Sequence, residues 1–174
     1  GLTIARNALA KRGVRLILDF VPNHVAPDHP WVVEHPEYFV QGNADDAGND
    51  PASFVEAGGA VFARGRDPYF PAWPDVLQLN AFQPGHRQAV IRTVSEIAGQ
   101  CDGVRCDMAM LVLPEVFERT WGRRAPSFWP EAIRRVRERA PGFRFMAEVY
   151  WGLEWTMLEQ GFDYAYDKRL YDRL

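Results

Sequence analysis

The sequence has only two cysteines, and this scarcity limits the kinds of site that the chain can hold. Cys101 and Cys106 are too few for a zinc site of the usual four ligands, and no histidine lies near them in the sequence. Their closeness on one short predicted strand makes a disulfide between them geometrically awkward. We therefore expect two free, buried thiols and no metal site at the cysteines. This expectation favours a reducing compartment, with the cytoplasm slightly preferred.

The chain also has no large excess of charge of one sign and no long apolar run. The formal net charge is −3 over 174 residues, so no electrostatic bias draws the chain to nucleic acid or to an anionic membrane surface. No apolar run approaches the roughly 20 residues that a membrane span requires. With 47% hydrophobic residues, the composition is that of a globular domain with a sizeable core. We expect neither nucleic acid nor membrane as a partner.

Both ends of the chain lie inside regular patterns. Residue 1 is a glycine at the start of a helical pattern, and residues 167–174 continue without a stop signal. We interpret the chain as a piece of a larger protein, in which case the absence of a signal peptide carries no information.

Apolar, β-branched runs alternate with helical patterns along most of the chain. The strands are predicted at 14–21, 102–108, 143–149 and 162–166, and the first should be buried on both faces. The helical patterns lie at 4–9, 90–98, from 114 onward, at 132–136 and at 153–160. This alternation predicts βαβ units around a parallel sheet, an α/β fold.

One stretch, 22–85, breaks the alternation and is dense in proline, glycine, aspartate and asparagine. Loops of this length are usually functional or form a small subdomain. Its aromatic residues argue for packing rather than disorder, and they are Trp31, Tyr38, Phe39, Phe54, Phe62, Tyr69, Phe70 and Trp73. We predict a small irregular unit inserted between a strand and its helix.

Three short motifs follow one another, each at the end of a predicted strand. They are Asp19–His24 (DFVPNH), Gly103–Asp107 (GVRCD) and Phe145–Glu148 (FMAE). In a parallel α/β barrel the loops after the strands converge on the active site. The order of the motifs therefore predicts one site at the carboxyl edge of the sheet.

The residue types in these motifs suit cleavage of a glycosidic bond with retention. That reaction needs a nucleophilic carboxylate and a carboxylic acid about 5–5.5 Å apart. Asp107 is a candidate nucleophile, with Arg105 two residues earlier to hold it ionised. Glu148 on the next strand is a candidate acid, and we expect apolar and aromatic neighbours to favour its protonated form.

The remaining candidate residues would bind sugar. Asn23 and His24 could bond sugar hydroxyls, and Tyr150 and Trp151 could contact pyranose rings. Each residue alone also has a structural interpretation, because Arg105 and Asp107 could form a plain ion pair and His24 a core histidine. The aromatic residues of 22–85 favour a small core over sugar platforms.

Supporting roles are the simpler interpretation for two further groups of residues. Asp19 would be a buried hydrogen-bond acceptor that braces the loop behind it and supports the site. The other histidines are expected to be structural or surface residues, and they are His29, His35 and His86.

Taken together, the motifs resemble those of the α-amylase family of retaining glycosidases and transglycosidases. Asp19–His24 resembles the conserved region after the third barrel strand, Gly103–Asp107 the one after the fourth, and Ala147–Val149 the one after the fifth. The stretch 22–85 falls where that family inserts its B domain, and Leu77–Asn80 resembles the motif at its end. The resemblance implies that residues 1–174 are part of one catalytic (β/α)8 barrel, roughly strands three to six, with 22–85 as a B-domain-like insert.

The resemblance also assigns roles. It implies that Asp107 is the nucleophile, Glu148 the acid/base, Arg105 the partner of the nucleophile and His24 a substrate-binding residue. The family's third catalytic aspartate has no counterpart here, so we expect this chain alone to be inactive.

One match to the family pattern and two departures from it concern calcium and substrate range. Asn23 matches a calcium ligand of typical amylases, so a structural calcium ion is allowed, although the chemistry itself implies no cofactor. The Lys-His pair that typical amylases carry after the nucleophile is replaced by Met108–Leu111. Gln78 replaces the more usual aspartate of the B-domain motif.

The hypothesis from sequence is a retaining glycosidase that acts on the α-glucosidic bonds of oligosaccharides or α-glucans of the starch and glycogen type. A transglycosylase of the same family is the alternative, because both reactions share the first half. A non-catalytic carbohydrate-binding barrel is less favoured, since both carboxylates and Arg105 are present. A metal-dependent barrel hydrolase would need clustered histidines, and only His24 lies at a strand end.

Overall fold

The computed structural model describes residues 1–124 and 126–174. Among these residues the strands are β1 (Ile17–Phe20), β2 (His24–Val25), β3 (Phe54–Ala57), β4 (Ala60–Ala63), β5 (Leu77–Gln78), β6 (Gly103–Cys106), β7 (Arg144–Ala147) and β8 (Tyr164–Ala165). The α-helices are α1 (Leu2–Ala10), α2 (Trp31–Glu34), α3 (Ala44–Asn49), α4 (Pro84–Ala98), α5 (Pro114–Trp121), α6 (Trp129–Arg139), α7 (Glu154–Glu159) and α8 (Lys168–Tyr171). Short 3-10 helices lie at Pro36–Tyr38 and Ala109–Val112.

Strands β1, β6, β7 and β8 form a parallel sheet in that spatial order. This confirms the α/β fold and the parallel sheet predicted from the alternation. Each strand is shorter than its apolar run, and β7 ends at Ala147 although the run continues to Val149. The residues just past each strand end therefore lie in loops, where their side chains are free to converge.

One face of the sheet is buried and the other is open. Val104, Cys106, Phe145 and Ala147 are buried in a core that they share with the helices α4 and α6. On β1 the outward residues are exposed, and Ile17 is an example. The prediction that this strand is buried on both faces is therefore wrong for the described residues, because its alternate side chains point to the open face.

Helix α4 illustrates how the local sequence sets the ends of an element. Pro84 occupies the first turn, where its missing N–H costs nothing, and the Gln83 side chain accepts a hydrogen bond from the N–H of His86 at 2.6 Å. The helix ends at Ala98 with Gly99 as the C-cap. It packs beside α6 and covers the sheet.

The stretch 22–85 contains two small antiparallel sheets, β2 with β5 and β3 with β4, together with α2 and α3. Its own buried cluster includes Tyr38, Phe39 and Phe62, whereas Tyr69 and Phe70 are exposed. His86 is also buried, in contact with the rings of Trp31 and Tyr38. A small packed core thus forms here, and its assignment as a B-domain-like insert stays a prediction.

Two further expectations concern the sheet and the cysteines. The described strands form an open four-stranded sheet, and its origin in a (β/α)8 barrel stays a prediction. Cys101 and Cys106 are buried and free, which confirms the expectation from their spacing. Among the helices of the described ranges, none is long and apolar enough to cross a membrane.

Candidate active site

The parallel register brings the three sequence motifs to one edge of the sheet. Asp19 on β1 lies level with Arg105 on β6, and Cys106 lies level with Ala147 on β7. Backbone hydrogen bonds continue past the strand ends, from the N–H of Asp107 to Phe20 at 2.8 Å and from the N–H of Glu148 to Cys106 at 3.0 Å. The backbones of both candidate catalytic residues are therefore fixed by neighbouring strands.

The guanidinium of Arg105 lies at the centre of the site. Its Nη1 donates to Asp107 at 2.7 Å and to Asp19 at 2.9 Å, and its Nη2 lies 2.7 Å from Oε2 of Glu148. Its Nε donates to the hydroxyl of Tyr166 at 3.0 Å. One cation thus joins three carboxylates from three strands. The sequence predicted only its contact with Asp107.

Asp19 supports the site in a different way from the one expected. Its carboxylate is 64% exposed and accepts a hydrogen bond from Arg105. The expectation of a buried acceptor that braces the following loop is therefore wrong. The reason is the strand alternation, which directs Asp19 to the open face of β1.

Glu148 is 8% exposed and its oxygens have polar partners. Oε2 accepts the backbone N–H of Met108 at 2.8 Å and also contacts Arg105, while Oε1 accepts the hydroxyl of Tyr150 at 2.5 Å. The expectation of apolar surroundings for the Glu148 carboxylate is therefore wrong, because both of its oxygens contact polar groups. Burial and the hydrogen bond to Glu148 raise the pKa of Tyr150 to about 12, so its hydroxyl keeps its proton.

The N–H that reaches Glu148 depends on an unusual backbone. Met108 has φ 44° and ψ 43°, the left-handed region that non-glycine residues rarely adopt. Such a residue costs on the order of 1–3 kcal/mol, and it persists where surrounding contacts hold it. Here the contact is the hydrogen bond to Glu148, and no signal in the sequence marks Met108 for it.

The electrostatics of Asp107 differ from the simple ion pair expected. Burial raises the pKa of Asp107 and the charge of Glu148 raises it further, while Arg105 acts in the opposite direction. The net direction is upward. The guanidinium contacts both carboxylates but does not fully offset the burial of Asp107 and the charge of Glu148 beside it.

His24 faces the site from β2, and Asn23 lies behind it. Burial lowers the pKa of His24, although the charges of Asp107 and Asp75 oppose this, so the ring is neutral at neutral pH. Asn23 is 1% exposed and its side chain bonds to Gln78. The prediction that Asn23 binds sugar is therefore wrong for this arrangement, because a buried side chain with its oxygen already bonded cannot reach a ligand.

Aromatic rings border the carboxylates on one side. Trp151 is half-exposed, has φ 64° and meets the exposed ring of Tyr69 edge to face with centroids 4.7 Å apart. A cavity of about 400 Å³ is lined by Tyr150, Tyr166, Asp167, Lys168 and Tyr171. Tyr150 uses its hydroxyl on Glu148, so only its ring is available to a sugar.

Known structures share this arrangement of elements. The chain superposes with a TM-score of 0.60 on an α-amylase from Lactobacillus plantarum at 26% identity, covering 96% of this chain and 32% of that one. An α-amylase from H. orenii gives a TM-score of 0.73 at 21% identity, covering 98% and 36%. A cyclomaltodextrinase gives 0.66 at 22% identity, covering 98% and 27%.

The chain has the fold seen in α-amylase-family structures. The resemblance inferred from the motifs is thus confirmed, and the chain spans about a third of the length of the solved structures it matches. No protein-family model matches the sequence, and no curated protein matches it.

Two residues of this site were missed in the sequence, Tyr166 beside Arg105 and Met108 with its N–H on Glu148. The sequence favours a core position for Tyr69, which is instead exposed and meets the ring of Trp151. Tyr166 lies at the end of a predicted strand, as the other site residues do, and that position was the signal available. Among the described residues, no group of three or more His, Cys, Asp or Glu side chains is placed to hold a metal ion.

Replacing Arg105 with methionine should destabilise the chain more at neutral than at acidic pH. The change leaves Asp107 and Glu148 close together without a cation, which we expect to cost about 3 kcal/mol at pH 7. Protonation of these carboxylates at acidic pH removes the repulsion and most of the loss. Urea unfolding followed by tryptophan fluorescence at both pH values measures the difference.

Arg124→Met is the matched control for this prediction. Arg124 is 54% exposed and also contacts two carboxylates, Glu115 at 3.3 Å and Glu118 at 2.8 Å. Its removal should cost much less stability than the removal of Arg105, because solvent screens exposed ion pairs. An equal loss for the two variants would show that Arg105 does not hold the carboxylates together.

Proposed function

We propose that the protein containing this chain is a retaining glycosidase that acts on the α-glucosidic bonds of oligosaccharides or α-glucans. The observation that carries the proposal is the pair Asp107 and Glu148, each 2.7 Å from the guanidinium of Arg105. Each belongs to a neighbouring strand end, and the charge of one raises the pKa of the other. A nucleophile and an acid in such proximity suit a double displacement.

In the first half-reaction Asp107 attacks the anomeric carbon. A bond forms between its carboxylate oxygen and that carbon as the bond to the leaving oxygen breaks, and Glu148 gives its proton to the leaving oxygen. The product is a β-glycosyl ester of Asp107. Arg105 positions both groups through its hydrogen bonds.

The contacts of Glu148 suggest which oxygen carries the proton. Oε2 faces two donors, Arg105 and the N–H of Met108, and therefore suits the charged form. Oε1 faces only the hydroxyl of Tyr150, which can turn to accept as well as donate. We assign the transferred proton to Oε1.

In the second half-reaction Glu148 acts as a base and the ester is cleaved. Water as the acceptor makes the enzyme a hydrolase, and a sugar hydroxyl makes it a transglycosylase. The rings of Tyr69 and Trp151, which meet edge to face, would contact the sugar, since Trp151 directly follows Tyr150. The structural neighbours are named as α-amylases and a cyclomaltodextrinase, which supports an α-glucan substrate.

The first test is product analysis with the full-length protein and maltooligosaccharides, with and without an added acceptor sugar. We expect initial products of α configuration that are shorter than the substrate. Products longer than the substrate would identify the transglycosylase instead. Binding of the oligosaccharides without turnover would contradict the catalytic proposal and favour a carbohydrate-binding protein.

A second prediction concerns the covalent intermediate. The Glu148→Gln variant should accumulate a glycosyl ester on Asp107 when given α-maltosyl fluoride, because fluoride leaves without an acid and the second step lacks its base. Peptide mass spectrometry locates the ester. Asp107→Asn should form none, and Glu138→Gln on the outer helix α6 serves as the control that turns over normally. An ester on any other carboxylate would refute the role of Asp107.

The raised pKa of Asp107 gives a prediction about pH. The acid limb of kcat/KM should reflect ionisation of Asp107, which must be charged to attack. Arg105→Met removes the cation that lowers this pKa, so the limb measured with α-glucosyl fluoride should move to higher pH. A limb that stays in place, or moves to lower pH, would show that another group controls it.

A further inference from the structure

The side chain of Gln78 is fully buried and its amide nitrogen faces three oxygens. Nε2 lies 3.0 Å from the carbonyl oxygen of Asn23, 2.9 Å from Oδ1 of Asn23 and 2.9 Å from the carbonyl oxygen of Leu79. An amide nitrogen carries only two hydrogens, so its N–H groups are shared among the three acceptors. Oxygens that converge on one buried point are also the arrangement by which proteins bind hard cations.

Of the two amide atoms of Gln78, only the nitrogen can face the three oxygens. If the amide of Gln78 were turned over, its Oε1 would face the same three oxygens with no hydrogen between them. In the observed orientation Oε1 instead accepts a weak hydrogen bond from Nδ2 of Asn23 at 3.4 Å. The two amides therefore pair reciprocally, and the surrounding acceptors determine how Gln78 is oriented.

The paired amides of Asn23 and Gln78 join two segments that lie beside the candidate site. Asn23 lies between β1 and β2, and Leu79 follows β5. Strands β2 and β5 pair over only two positions, His24 with Gln78 and Val25 with Leu77. So short a ladder is weak by itself, and the buried amide of Gln78 adds hydrogen bonds to the backbone and side chain of Asn23 across it.

His24 depends on this support for its position. Its backbone pairs with that of Gln78, and its Nδ1 lies 3.5 Å from Nδ2 of Asn23. Its ring also rests 5.3 Å from the ring of Trp73, centroid to centroid. A loss of the Asn23–Gln78 contact would weaken this support on both the backbone and the side-chain side of His24.

We propose that the amide nitrogen of Gln78 takes the place of a metal ion and makes the position of His24 independent of calcium. Gln78 is a positioning residue in this proposal, because it acts through Asn23 and His24. The proposal concerns the support of one loop, and it stands whether or not the protein is a glycosidase.

The residues at this point fit an N–H donor better than calcium. Calcium binds six to eight oxygens at about 2.3–2.6 Å, and carboxylates usually supply the negative charge. The three oxygens here lie 2.9–3.0 Å from nitrogen, the spacing of N–H···O hydrogen bonds, and all of them are neutral. A calcium ion could enter only by displacing the buried Gln78 side chain.

The test is the effect of calcium on the thermal midpoint of the full-length protein, measured in calcium chloride and in chelator. The variants are Gln78→Glu, Gln78→Met and Asn23→Asp. In Gln78→Glu a carboxylate faces the three oxygens and no N–H lies between them. The variant should therefore be less stable than the wild type in chelator, where no cation can take the place of the N–H group. Calcium should raise its midpoint by about 5 °C more than it raises that of the wild type.

The two other variants separate charge from the role of the nitrogen. Asn23→Asp adds the same negative charge but leaves the nitrogen of Gln78 in place, so its response to calcium should equal that of the wild type. Gln78→Met removes the donor without adding charge, so it should be less stable than the wild type, with an unchanged calcium response.

Several results would overturn the proposal. Equal calcium responses of wild type and Gln78→Glu would show that a cation cannot replace the nitrogen, as would a Gln78→Glu protein that remains unfolded in both media. A wild-type response that Gln78→Met abolishes would show that a cation already binds beside Gln78. A gain of calcium response in Asn23→Asp would show that charge alone creates the site.

Discussion

The arrangement of the site depends on one partly buried guanidinium, that of Arg105. Three carboxylates from three neighbouring strand ends meet there, and like charges so close together would separate without a cation between them. The fork of an arginine suits this position, because its two terminal nitrogens contact different carboxylates at the same time. The raised pKa of Asp107 indicates that one positive charge does not fully offset its burial and the charge of Glu148.

Two backbone distortions lie beside these carboxylates. Met108 follows Asp107 and Trp151 lies three residues after Glu148, and both adopt the left-handed conformation although neither is glycine. At Met108 the distortion turns an N–H toward Glu148. At Trp151 it accompanies the placement of a large ring against Tyr69, at the rim of the site. Strain in the chain is thus concentrated where the proposed chemistry takes place.

Polar contacts, rather than an apolar pocket, hold the catalytic candidates and their neighbours in place. The hydroxyls of Tyr150 and Tyr166 bond to Glu148 and Arg105, and the amide of Gln78 bonds to the loop that carries His24. The contacts of Tyr166 and Gln78 link segments that are distant in sequence, whereas Tyr150 lies only two residues after Glu148. The expectations about Glu148 and Asn23 failed because Arg105, Met108 and Gln78, which also contact them, come from distant parts of the chain.

The sequence by itself determined the order of the strands, the parallel sheet and the strand ends that carry Asp107 and Glu148. Those features follow from local apolar runs and from the rule that parallel strands end at one edge. Only the tertiary structure decided that Arg105 joins three carboxylates and that Asp19 is exposed. It also decided that Gln78 reaches Asn23 across 55 positions of chain. Contacts of this kind depend on register, side-chain direction and backbone conformation, which no local pattern of residue types specifies.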